Sequence, residues 1–372
     1  MNYKEIALQE LEKKGSALST KNALVGFDGT VTKTASPCNL KSNSHEDNLP
    51  IESITSFAQR IQGASEKEVG FNLDLPREQI GGIGPSLAQA LIAFDLNVRY
   101  IGALGHPSIH PIFQEFAKRT NAVSLCNPSV ILKLKFDDGT ISLSTSKDLS
   151  EITYAGIVEK LGEGALFDVI SRADLMAMVN WSDTPNMTAI LSALLDRVFP
   201  NLGPREQGRI FFFDLPNLIH RTDGDINTAL STISRFRSHG QVTLGLNLEE
   251  AKRISSVLGK QLVEENAEGI KEIISHIRQE LSLTCVTVQS EASAGCTTKE
   301  DTWWIEGSNR RDFQLRVGIE NEFKAGFITA QLIGLSTPAC LTLAAAAADT
   351  YAHTGKHPSV VEVNSQIRDS GT

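Results

Sequence analysis

The sequence predicts an α/β chain with a doubly wound, mainly parallel sheet, helices on both faces and a small β lid. Three observations carry this reading. From Ala23 onward short apolar runs alternate with helical segments, and the runs close on glycine or a polar residue, as buried parallel strands do. Residues 130–136 and 141–144 flank Asp137-Asp138-Gly139-Thr140, and Asp-Gly supplies the positive φ angles of a tight hairpin turn that a parallel core does not contain. The longest apolar run, 341–348, is far below the roughly 20 residues that cross a bilayer, and its alanines suit a tightly packed core helix.

Taken in order, residues 1–21 mix charged and apolar side chains like an amphipathic helix and lack the unbroken apolar stretch of a secretory signal. Residues 23–27 read as a buried strand ending at Asp28, 36–50 as a polar loop, and 51–61 as a helix. Val69, Phe71, Leu73 and Leu75 alternate with polar neighbours, which predicts a strand with one wet face. A glycine-rich turn at Gly81 leads to a helix over 86–94, a strand over 98–101 and a helix over 111–119. After the hairpin come strand 175–179, helix 187–198, strand 210–213, helix 226–236, strand 242–246, helices 248–258 and 270–281, strand 285–289 and a C-terminal pair of helices. That succession implies right-handed crossovers in one domain over 1–372, with the lid, at about 65–76 and 128–146, inserted in it. No linker-like stretch and no internal repeat interrupts it.

Composition narrows the partners. A net charge of -9 without a basic run argues against nucleic acid, whose affinity comes largely from lysines and arginines neutralising phosphates. No segment calls for a membrane, and five widely spaced cysteines without a Cys-x-x-Cys pair fit a reducing, cytoplasmic setting.

Ligands of open parallel sheets bind beyond the carboxyl ends of the strands. Asp28 stands at such an end, either capping a turn or accepting hydrogen bonds from polyol hydroxyls. Gly81, Gly82 and Gly84 allow close backbone approach at a helix N-terminus, although a plain turn would look the same. The segment lacks the third glycine of a dinucleotide fingerprint, so a nicotinamide oxidoreductase is remote, and there is no Walker A loop. His106 and His110 have a metal-like i, i+4 spacing, but Pro107 and Pro111 break the helix that would aim them. Asn247 and Glu250 open a helix straight after an apolar strand. They read as a capping box, as a pair beside phosphates that holds magnesium through water, or as both.

Gly81-Gly82-Ile83-Gly84-Pro85 with its alanine-rich helix, Tyr100-Ile101-Gly102-Ala103-Leu104-Gly105, Asn247-x-x-Glu250 and Ala325-Gly326-Phe327 together resemble the ribokinase/PfkB family of carbohydrate kinases over most of 24–359. The resemblance implies a ribokinase-like domain that transfers the γ-phosphate of Mg-ATP to a sugar hydroxyl under a β lid. It implies that Asp28, Gly81, Gly82, Gly84 and Ser86 touch the sugar, and that Asn247 and Glu250 position magnesium. The family's Gly-Ala-Gly-Asp signature is replaced here by Gly318-Ile319-Glu320-Asn321. The general-base position is then Asn321, an amide that accepts no proton at neutral pH, and loss of such a base typically costs roughly 10²–10⁴ in rate. Glu320 adds a negative charge where phosphate is expected. Ser86 replaces the asparagine of many relatives, and Thr32 falls where others offer a second carboxylate. Glu322 could serve as a substitute base, but it lies one residue past the base position and is therefore turned by about 100° around the helix.

Two readings stand side by side: a sugar or nucleoside kinase with weak or lost activity, and a non-catalytic homologue acting as a small-molecule-binding or protein-interaction module. The expected partners are a small polyol or sugar, a nucleotide, and a second copy of the chain paired through the lid.

Overall fold

The computed structural model describes residues 3–38, 49–74, 77–145, 147–203, 208–261, 264–290, 293–306 and 318–369. In chain order its strands are β1 (Asn22–Phe27), β2 (Thr30–Ala35), β3 (Pro37–Cys38), β4 (Asn72–Leu73), β5 (Arg77–Gly81), β6 (Asn97–Gly102), β7 (Val123–Ser124) and β8 (Ser129–Phe136). They continue with β9 (Gly139–Thr145), β10 (Leu175–Met178), β11 (Ile210–Asp214), β12 (Gln241–Asn247), β13 (Cys285–Gln289), β14 (Ser293–Thr297) and β15 (Thr302–Glu306). Nine form one sheet in the order β15-β14-β13-β12-β11-β10-β1-β6-β7. From β7 to β13 every pairing is parallel, and β14 and β15 close one edge as an antiparallel hairpin.

The strand sequences explain their place. Phe211, Phe212 and Phe213 are all buried, as a strand covered on both faces requires. Helices Tyr3–Lys14, Ile83–Ala93, Ile319–Leu332, Thr337–Thr354 and Val360–Asp369 cover one face. Glu163–Arg172, Met187–Ala193, Asp223–Arg235, Leu248–Val257 and Ala267–Leu281 cover the other. The alanine run 341–348 lies in the buried helix Thr337–Thr354, where small side chains are needed. A β-carbon on Gly326 of the neighbouring helix would come 2.9 Å from the Ala344 Cα. Among the described residues no helix is long and apolar enough to cross a membrane, and all five cysteines are buried, none of them in a disulfide.

A second sheet, β5-β2-β8-β9, rises from the carboxyl end of β1, because only Asp28 and Gly29 separate β1 from β2. Its hairpin is the one the Asp-Gly signal predicts, with Phe136 paired to Gly139 and Gly139 at φ 158°. The other expected lid strand is corrected. Of the segment 65–76, only Asn72–Leu73 is a described strand, and it pairs with Pro37–Cys38. Phe71 packs on the Phe57 ring instead, at 4.5 Å between centroids, and Leu75 lies outside the described residues. The strand that joins the small sheet is Arg77–Gly81, mostly exposed and therefore without the apolar alternation that marks a half-buried strand.

Most of the polar loop over 36–50 lies outside the described residues, and Pro37–Cys38 within it is extended. Helix 187–198 is α-helical only to Ala193 and then widens into a π turn. Strands β2, β14 and β15 were not anticipated, and three helices rather than two end the chain.

Candidate active site

In the large sheet β6 lies on one side of β1 and β10 on the other, so a crevice is expected beyond the carboxyl ends of β1 and β10. Two polar side chains meet there. Asn180, just past β10 and in the left-handed region at φ 59°, donates from Nδ2 to Asp28 Oδ2 at 2.8 Å. The backbone N–H of Ile83 donates to the same oxygen at 2.9 Å, and that of Gly84 donates to Oδ1 at 2.8 Å. The Tyr100 hydroxyl donates to the Asp28 carbonyl at 2.5 Å. Asp28 is fully buried and caps the N-terminus of helix Ile83–Ala93.

The glycines serve this cap. Gly82 has φ 98°, and a β-carbon there would come 2.8 Å from Asp28 Oδ2; one on Gly84 would come 2.5 Å from Oδ1. Burial pushes the Asp28 carboxyl up to about 6, against the lowering effect of the Asn180 and backbone hydrogen bonds. The turn-capping alternative for Asp28 thus describes its geometry, since both oxygens already accept from protein donors. Gly81 lies against Thr32, whose Oγ1 is 2.4 Å from where a β-carbon would stand, and Ser86 is half-buried in the first turns of the helix.

Along the same edge of the sheet lies a charged cluster. Asp214 ends β11 and Asn247 ends the adjacent β12. Lys324, 5 % exposed, reaches down from helix Ile319–Leu332 and donates to Asp214 Oδ1 at 2.8 Å, with Glu320 Oε2 at 4.0 Å. Burial alone would lower the Lys324 pKa, but Asp214, Glu250 and Glu320 together raise it, so the ammonium is charged throughout the physiological range.

Asn247 and Glu250 form the expected capping box. The Asn247 N–H donates to Glu250 Oε2, the Asn247 amide to Oε1, and the Glu250 N–H to Asn247 Oδ1, each at 2.9 Å. Burial and then the Asp214 charge push the Glu250 carboxyl up to about 8, with Lys324 pulling the other way.

Gly318 begins helix Ile319–Leu332 at φ 109°, a conformation that favours glycine. Glu320, with a 54 % exposed side chain, faces outward from the first turn, and Asn321 is half-buried beside it. Glu322 points elsewhere. Its side chain is fully buried and bonded to His357 Nδ1 at 2.5 Å, on the side of the C-terminal helices. Burial raises the Glu322 pKa, and His357 opposes the rise.

Among the described residues no group of three His, Cys, Asp or Glu side chains can hold a metal ion. The capping box engages both Glu250 oxygens and the Asn247 oxygen, and the Lys324 ammonium already occupies the place of a cation beside Asp214. These residues do not fit a metal ion bound directly to the protein.

The expected site residues therefore collect at one end of the sheet, in two groups joined by β10 and β11. Several partners were missed: Asn180, Asp214 and Lys324, together with Ser182 and Thr184. Asn180 Oδ1, Ser182 Oγ, Thr184 Oγ1 and Asp214 Oδ2 are buried without a hydrogen-bond partner, as groups prepared for a ligand would be. One signal was readable, because Asn180 and Asp214 follow apolar runs in the way Asp28 does. Lys324 was not, since a lysine among apolar helix residues reads as a surface position.

The model of the prokaryotic ketohexokinase family matches residues 7–369. A ketohexokinase of Haloferax volcanii is 21% identical over 350 residues, covering 91% of this chain and 89% of that one. The fold is shared with Arabidopsis thaliana ribokinase complexed with ribose and ATP, at TM-score 0.63 and 13% identity, covering 94% of this chain and 98% of the other. It is also shared with the Methanocaldococcus jannaschii nucleoside kinase, at TM-score 0.60 and 11% identity, covering 94% and 98%. The chain belongs to the prokaryotic ketohexokinase family, a branch of the ribokinase/PfkB sugar kinases.

Proposed function

We propose that this protein transfers the γ-phosphate of ATP to a hydroxyl of a ketohexose, and does so slowly. One observation carries the reading: the buried, unpartnered acceptors of Asn180, Ser182, Thr184 and Asp214 line the carboxyl edge of the sheet beside the helix that begins at Gly318. Such acceptors suit the hydroxyls of a polyol, which the Asp28 carboxylate, held by protein donors, serves less well. In the transfer the acceptor oxygen forms a bond to the γ-phosphorus while the bond to the ADP oxygen breaks. With Asn321 at the base position, the group there is an amide, which takes no proton from the hydroxyl at neutral pH. Asp214 is paired with Lys324, Glu250 with Asn247 and Glu322 with His357. The hydroxyl proton then passes to the phosphoryl oxygens or to water.

Kinases of the family use ATP with magnesium. The ion is proposed to arrive with the nucleotide and to meet Asn247 and Glu250 only through water. The small sheet is proposed as the lid. Its edge strand β9 carries Leu143, 53% exposed, as the surface where a second copy pairs.

A second reading, a binding module without turnover, is favoured by Glu320, whose exposed carboxylate on the first helical turn repels a phosphate. Assay of ADP release with ATP and fructose separates the two, comparing the native chain with the Glu320→Gly, Asn321→Asp double variant. The slow-kinase reading expects weak native turnover raised by about 10²-fold or more. Binding of fructose and ATP without turnover in either form supports the module. Native turnover within the usual enzyme range of about 1–10³ s⁻¹ overturns the claim of slowness.

A further inference from the structure

A cavity of about 770 Å³ opens at the other end of the sheet, beneath the amino ends of β12 and β13. That size lies within the range of about 300–1,000 Å³ usual for small-molecule sites. Its floor is apolar, from Phe327, Cys285 and Cys340. Its rim is polar and carries two cations, Arg278 at the end of helix Ala267–Leu281 and Lys299 in the turn between β14 and β15. Arg278 donates one long bond, 3.4 Å, to the Leu283 carbonyl, and among the described residues neither cation forms a salt bridge within 4.0 Å, although both attract the Glu300 carboxylate electrostatically. Among the described residues the lining carboxylate is Glu300, which accepts from the Thr298 hydroxyl at 2.6 Å.

Thr337 brings to the wall the start of the 18-residue helix Thr337–Thr354, which has no side-chain cap. Glu10 accepts from the Ser336 N–H there, while the Ser336 hydroxyl is buried without a partner. Gln241, Gln279, Ser282 and Gln331 add amides and a hydroxyl.

We infer that this cavity binds a phosphorylated polyol of sugar size, with Arg278 and Lys299 on the phosphate and the amides and hydroxyls on the polyol. Among the described residues Phe327 is the sole aromatic one lining the cavity and its ring is packed in the core, so none of them offers a platform on which a nucleotide base would stack. The site is separate from the candidate active site. Gln331 and Glu320 lie on one helix, and the eleven helical steps from one to the other set them roughly 16 Å apart. The shared helix is also a route for influence, because a ligand that braces Phe327 and Gln331 braces the element that begins at Gly318. The inference holds whether or not the chain transfers phosphate.

The test is calorimetry and hydrogen exchange on the full chain with three probes: fructose 1-phosphate, fructose and inorganic phosphate. Fructose 1-phosphate is expected to bind and to protect amides in 278–285 and 298–300. The Arg278→Ala, Lys299→Ala double variant should weaken it at least ~10-fold, equivalent to about 1.4 kcal/mol. Asn321→Leu should leave that protection unchanged. Lys299→Glu, at an exposed turn, gives a second reading should the double variant misfold. No binding at millimolar concentration, or binding indifferent to Arg278 and Lys299, overturns the inference. Equal binding of inorganic phosphate and fructose 1-phosphate removes its polyol half.

Discussion

Replacing Lys324 with methionine tests the charged cluster most directly. The substitution keeps the length of the side chain and removes the charge, leaving Asp214, fully buried, without its cation and beside Glu250 and Glu320. At 2.8 Å the Lys324–Asp214 attraction is about 6 kcal/mol with an effective dielectric constant of about 20. Relief of the lysine's own desolvation returns part of that, and breaking a buried pair by removing one partner typically costs about 3–5 kcal/mol. A ceiling exists as well. A stranded carboxylate can take up a proton, which for a carboxyl of ordinary acidity costs about 4 kcal/mol at pH 7 and about 1.5 kcal/mol at pH 5. Lys324→Met should therefore destabilise the fold by about 3–4 kcal/mol at pH 7 and by no more than about 2 kcal/mol at pH 5. Adding Asp214→Leu should recover most of the loss. Urea unfolding of the variants at the two pH values supplies the free energies. A loss below about 1 kcal/mol at pH 7, or one that does not shrink on acidification, would refute the argument that Lys324 neutralises this cluster.

Other consequences follow from the same geometry. Asp28→Ala leaves two backbone N–H groups and the Asn180 amide without their acceptor, and is expected to cost about 3–5 kcal/mol in urea unfolding, with Asp28→Asn costing roughly half. Equal effects of the two would argue against the cap. Burial holds the Asp28 and Glu250 carboxyls above their ordinary values of about 4, at about 6 and about 8. The folded state then holds more protons than the unfolded one between these limits, so in metal-free buffer their contribution to stability is greatest below about pH 4 and declines as pH rises to about 8. Glu250→Gln should flatten the upper part of that decline, and a slope unchanged between pH 6 and 8 would count against it. Light scattering should find a dimer that Leu143→Lys converts to monomer; a native monomer at micromolar concentration would remove the pairing proposed for β9.

The alternating pattern of apolar runs was enough to read the parallel sheet, because a strand buried on both faces must be apolar wherever it lies in the chain. The buried alanine helix and the Asp-Gly hairpin were readable for equally local reasons. Strand Arg77–Gly81 was not, because an exposed strand carries no periodic signal and owes its place to pairing with Thr30–Ala35. For the site, the sequence alone singled out candidates, Asp28, the glycines at 81, 82 and 84, Asn247 with Glu250, and the substituted pair Glu320 and Asn321. Only the tertiary structure decided how they are occupied. The glycine turn closes around an internal carboxylate, Glu322 turns away to His357, and Lys324 enters the carboxylate cluster. Those outcomes depend on which charges lie across neighbouring strands and helices, far apart in the chain, and burial in a low-dielectric interior requires each of them to find a partner.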